Sequence, residues 1–63
     1  MEIKEFKALK KGDEIEHYEC QVGVSFWQQG TVIERDKKNM ALILVHWENG
    51  EKRYTGRQLI RKK

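Results

Sequence analysis

The polar and apolar positions of this chain fall into short alternating runs separated by turn chemistry, which is the signature of a small β domain. At the start, Ile3, Phe6 and Leu9 stand three apart among Lys and Glu, a spacing that suits one or two turns of helix or an extended arm laid on the body. At this length neither stands alone. Lys10-Lys11-Gly12-Asp13 reads as a turn, because Gly tolerates positive φ and Asp bonds its own backbone. Glu14 to Tyr18 then alternates, with Ile15 as its clearest inward residue. Glu19 to Phe26, containing Gly23, reads as a long loop. Trp27 to Arg35 is a second strand, whose internal Gly30 predicts a bulge or bend. Asp36-Lys37-Lys38-Asn39 makes a four-residue turn into Met40 to Trp47, the strongest strand of the chain. Asn49-Gly50 predicts a type I′ hairpin turn with positive φ at both residues. Lys52 to Thr55 is a fourth strand, Gly56 to Leu59 a 3₁₀ turn, and Ile60-Arg61 a last brief strand.

In the Met40–Trp47 run, Ile43, Val45 and Trp47 share one face with Ala41, and Leu42 and Leu44 share the other with Met40 and His46. The first face is expected inward. Leu42 and Leu44, joined by Ile33 if Val32 points in, are then either covered by the arm (Ile3, Phe6, Leu9) or form an oligomer or protein-docking surface. Five short strands leave open edges in a flat sheet, so the pattern predicts an all-β, partly closed small barrel. Residues 1–9 form its arm or helical turn and residues 10–63 the barrel.

With 63 residues, 38 % apolar, the chain holds one domain whose core supplies only about 3–5 kcal/mol of net stability. Cys20 is the single cysteine, so no internal disulfide forms, and with His17 and His46 it falls short of a zinc ligand set. No metal or other cofactor is expected. No apolar run reaches the roughly 18 residues of a membrane span, and the charged N-terminus lacks a secretory apolar region. A cytoplasmic protein is therefore expected. Glu14 and Glu16 share a strand face, but no nucleophile with an adjacent base and no phosphate-cradling glycine loop accompanies them. No enzymatic activity is expected.

Charge is asymmetric. Residues 1–34 carry four lysines against seven acids, for −3, whereas residues 35–63 carry nine cations against three acids, for +6. The last twelve residues contain no acid. Arg35, Lys37, Lys38, Lys52, Arg53, Arg57 and Arg61 are the candidate contacts to nucleic-acid phosphates, with affinity from counterion release. A basic, solubilising tail is the plainer account of the same residues. Tyr18, Phe26, Trp27, Trp47 and Tyr54 are a candidate aromatic cluster for a cation or for base stacking, with Trp47 and Phe26 alternatively serving as core plugs.

The words Lys11-Gly12-Asp13-x-Ile15, Gly30-Thr31-Val32-Ile33 and Val45-His46-Trp47-Glu48-Asn49-Gly50, in this order, resemble the SH3-like small barrels. The group most similar is that of the Tudor, Agenet, chromo-barrel and Mind-bomb domains, with Val45, Trp47, Asn49, Gly50, Tyr54 and Gly56 matching its pattern. The likeness runs from residue 10 to 61. The first and second words also look like a small barrel protein of photosystem I. The resemblance implies a five-stranded barrel, but such barrels serve methyl-lysine readers, nucleic-acid binders, ribosomal proteins and small components of larger enzymes alike. A monomeric, non-enzymatic nucleic-acid-binding module is the function expected. A peptide- or protein-interaction module, reading through the aromatics or docking through Leu42 and Leu44, is the alternative.

Overall fold

The computed structural model describes all of residues 1–63 and is built on strands over half its length. One short helix, α1 (Ile3–Ala8), precedes five strands: β1 (Glu14–Gln21), β2 (Val24–Arg35), β3 (Ile43–Trp47), β4 (Lys52–Thr55) and β5 (Ile60–Lys62). All pair antiparallel in a single sheet of order β4-β3-β2-β1-β5. The sheet does not close into a barrel, because the two edge strands β4 and β5 share no ladder. They are short, with four and three residues. No helix is long and apolar enough to cross a membrane.

Ladder partners face the same side, so the register defines two surfaces. Ile15, Gly30 and Trp47 form one inward row, and Val32 faces Val45 in the next. Ile15, Val32, Ile43, Val45, Trp47 and Ile60 are buried there, as the alternation within Ile43-x-Val45-x-Trp47 predicts. Phe6 of α1 and Leu9, the residue after it, complete this cluster. Seven of the cluster's eight members are aliphatic or phenyl side chains, with no polar group to satisfy.

Gly30 carries no bulge: it pairs regularly with both Ile15 and Trp47. A β-carbon there would lie 2.6 Å from both Trp47 Cε3 and Val45 Cγ1, so glycine makes room for the indole. The bulge falls instead between Val32 and Glu34. It sets Arg35, rather than Glu34, opposite Ile43 on the inner side.

The expected loop from Glu19 to Phe26 is absent. β1 and β2 continue through it, pairing Tyr18 with Trp27 out to Gln21 with Val24. Val22 (φ 50°) and Gly23 (φ 77°) alone make the turn. Two positive φ values in a two-residue loop are type I′ geometry, which suits the strand twist even though valine is a poor occupant. The same turn is expected at Asn49-Gly50 and is not made there, since only Gly50 (φ 90°) is left-handed. Gly50 N–H donates to the Trp47 carbonyl at 2.9 Å, and Glu51 N–H to Asn49 Oδ1 at 3.0 Å. This is a type I turn followed by a left-handed glycine, a three-residue loop in which Glu48 takes part.

β3 starts at Ile43 rather than Met40. Asn39 holds the preceding turn, accepting from Leu42 N–H on its carbonyl and from Ala41 N–H on its side chain. Gly56–Leu59 is a turn without 3₁₀ structure, and Leu59 in it has φ 59°. The arm does not cover Leu42 and Leu44. Phe6 and Leu9 belong to the inner core, while Ile33, Leu42 and Leu44 stay half-buried outside it.

Candidate nucleic-acid interface

The seven cations singled out in the sequence separate by residue type. Every arginine among them is bonded within the fold. Arg35 donates to the Phe6 carbonyl at 2.5 Å and the Met40 carbonyl at 2.8 Å, and its guanidinium lies 4.8 Å from the Phe6 ring centre. Arg53 donates to Gln28 Oε1 at 3.0 Å, pairs with Glu51 at 3.0 Å, and lies 5.3 Å from the centre of the Trp47 ring. Arg57 donates to the Met1 carbonyl at 3.2 Å. Arg61 donates to Glu16 at 2.8 Å and stacks 3.6 Å from the centre of the Trp27 ring. A planar guanidinium with several donors both forks and stacks, which is why arginine takes these structural posts.

Lys37, Lys38 and Lys52 are exposed, and none of their ammonium groups has a carboxylate partner. Lys52 and Tyr54 lie two apart on β4, and Lys52 is opposite His46 and Tyr54 opposite Leu44, so both project from the outer face. Tyr54, 53 % exposed, shares a shallow depression with Lys37 and Lys38 and with Glu34, Arg35 and Asp36. The outer edge of β4 and the β2–β3 loop thus present an accessible phenol among three unpaired ammonium groups. Sequence reasoning included these four residues but did not separate them from the arginines; only the register does so.

The five aromatics do not converge. Trp47 is 3 % exposed and lies in the core, edge-on to His17 at 5.6 Å. Phe26 shares the inner side with it, opposite Glu19. Tyr18 and Trp27 meet edge to face at 5.5 Å on the outer side, Tyr18 Oη donates to Ser25 Oγ at 2.8 Å, and Arg61 occupies the face of Trp27. Tyr54 stands apart at the other edge.

Glu16 anchors the Tyr18–Trp27 side. It accepts from Gln29 Nε2 and Arg61 Nε, and these two bonds hold its carboxyl below the ordinary carboxylate range against a smaller opposing effect of burial. His17 faces inward, whereas Cys20 and His46 lie on the outer side, so the three do not meet. No three His, Cys, Asp or Glu side chains gather as for a metal ion. No family model, no curated protein and no solved structure matches this chain.

Proposed function

We propose that the protein is a non-enzymatic nucleic-acid-binding module that engages single strands along the outer edge of β4. Tyr54 stacks on a base, while Lys37, Lys38 and Lys52 contact phosphates on either side. The observation that carries this reading is Tyr54, the most exposed aromatic side chain, beside Lys37 and Lys38 and on the same outer face of β4 as Lys52, three ammonium groups without a carboxylate partner. The arginines keep structural duties and add only to the long-range field. The strand order and the short turn before β5 also support an SH3-like architecture of the Tudor kind, left open between β4 and β5.

Fluorescence anisotropy with a labelled oligo-dT and oligo-U of about ten nucleotides tests this reading at about 50 mM salt, the condition that most favours phosphate contacts. Lys37→Ala, Lys38→Ala and Lys52→Ala should each reduce the slope of log K against log salt by about 0.7. Tyr54→Ala should cost about 1–3 kcal/mol without changing that slope. Absence of binding by the parent at this salt concentration overturns the reading. So does binding that is lost with Arg61→Gln but kept when the three lysines are removed.

A further inference from the structure

A second concavity, remote in chemistry from the lysine edge, lies between α1 and the β2–β3 loop. Its volume is about 310 Å³, at the lower end of the range for ligand pockets, and its lining is Ile3, Phe6, Lys7, Met40, Ala41 and Arg57. Ile3, Phe6 and Lys7 fall on one helical face by their three- and four-residue spacing. Met40 and Ala41 form the facing wall. Arg35 fixes the distance between the walls, since one guanidinium donates both to the Phe6 carbonyl at 2.5 Å and to the Met40 carbonyl at 2.8 Å. The cleft is therefore held open by a bonded strut rather than by chance packing.

Its apolar surface is left uncovered by the chain. Ile3 is 53 % and Met40 64 % exposed, although both line the cleft together with the buried Phe6. The charged members of the lining are both cations, Lys7 and Arg57. Neither is paired with a carboxylate, and no acid lines the cleft. An apolar floor between two uncompensated cations is complementary to an apolar side chain flanked by carboxylates. The adaptable methionine wall suits side chains of varied shape.

We infer that this cleft is a docking site for an acidic amphipathic peptide segment of a partner protein, whose apolar residue enters between Ile3 and Met40 while its carboxylates meet Lys7 and Arg57. Such a segment binds by its apolar anchors, with the charge pairs selecting sign and orientation. The site is independent of the nucleic-acid reading, because none of its six lining residues belongs to the lysine–tyrosine edge.

The test uses a fluorescein-labelled peptide of about twelve residues built from glutamate and leucine, with leucines three and four apart. Anisotropy should show saturable binding, and amide shifts in the labelled protein should centre on Ile3, Lys7, Ala41 and Arg57. A lysine–leucine peptide and a glutamate–serine peptide should each bind at least about tenfold more weakly. Lys7→Glu and Met40→Glu, both at exposed positions that leave the core intact, should each cost about tenfold or more, with a thermal melt confirming the fold. Replacing Lys37, Lys38 and Lys52 together by alanine should leave peptide affinity unchanged. The inference is overturned if the glutamate–leucine peptide does not bind, or if the lysine–leucine peptide binds as well. It is also overturned if the shifts fall on the β4 edge, or if dodecanoate displaces the peptide and binds more tightly, which would make the cleft an acyl-chain site.

Discussion

The inner face of the sheet is finished in two different ways along its length. At one end Phe6 and Leu9 lie with Val32, Ile43 and Val45 in an apolar cluster that water does not reach. At the other end the same face carries His17, Glu19, Phe26 and Gln28, and its cover is the Arg53 side chain reaching from β4. Trp47 marks the border, with Gly30 and Ile15 on its row and the Arg53 guanidinium near its ring. The reason is length. A helix of six residues spans only about 9 Å, so it covers one end of a sheet whose second strand runs for twelve residues. Beyond it, a charged side chain with a long aliphatic stem takes over the role of the missing apolar cover. A chain this short concentrates its few large apolar residues in one place and seals the rest with hydrogen bonds.

If the two ends differ in this way, truncating a phenyl ring at each should give very different costs. Phe6, 4 % exposed, should lose about 3–5 kcal/mol on Phe6→Ala, which is most or all of the stability of a domain this small. Phe26, 38 % exposed, should lose less than about 1.5 kcal/mol on Phe26→Ala. Urea denaturation of the two variants reads the difference directly. Equal losses would erase the distinction between the ends.

The border row is the next place to press. Gly30→Ala sets a methyl group 2.6 Å from Trp47 Cε3, and both it and the Val45 neighbour belong to the packed interior. Overpacking of this kind costs about 1–3 kcal/mol, and the displaced indole should shift its fluorescence. A melting temperature and emission spectrum unchanged from the parent would show that Trp47 is not seated against the Gly30 backbone.

How much of this was readable beforehand depended on whether a residue's partner was near in sequence. The alternation of Ile43, Val45 and Trp47 is local, and so the inward face of β3 was legible, as were five strands and an amphipathic start. The barrel closure was not, because whether β4 meets β5 depends on strand lengths and cover. The Gln21–Val24 hairpin was hidden because Val22 has neither the flexibility nor the side-chain chemistry that marks a type I′ turn. Asn49-Gly50 announced a turn, but its type turned on Glu48 joining the loop. The arginines were the largest gap. Arg61 meets Glu16 across 45 positions and Arg35 meets Phe6 across 29, so charge counts alone treated structural guanidiniums and free lysines alike.

Val22 gives a smaller effect in the opposite direction, at the tip of the ribbon where no body packs. It is fully exposed and left-handed, so its side chain contributes strain and no burial. Val22→Asn should raise stability by about 1 kcal/mol, since asparagine occupies this conformation at far lower cost. A lower melting temperature for Val22→Asn would mean that the turn is not type I′.

Glu16 should give the smallest effect of all, because its partners sit on the solvent side where ion pairs are screened. Its carboxyl is held below the ordinary value of 4.5 by Gln29 and Arg61, so the folded state prefers the ionised form more than the unfolded chain does. The stabilisation is therefore complete at pH values above 4.5 and is lost as pH falls through the lower, folded value. Glu16→Gln removes the titrating group, and with it this component of the acid dependence. Parent and variant should differ most near pH 7 and converge as the solution is acidified below 4.5 and through the lower, folded-state value, as measured by denaturation midpoints at low salt. Convergence should come with a change in Trp27 emission in the parent, as Arg61 loses the carboxylate that steadies it on the indole face. If the stability gap stays constant across that pH range, Glu16 is held by packing alone and the Gln29–Glu16–Arg61 bridge does not order the outer face.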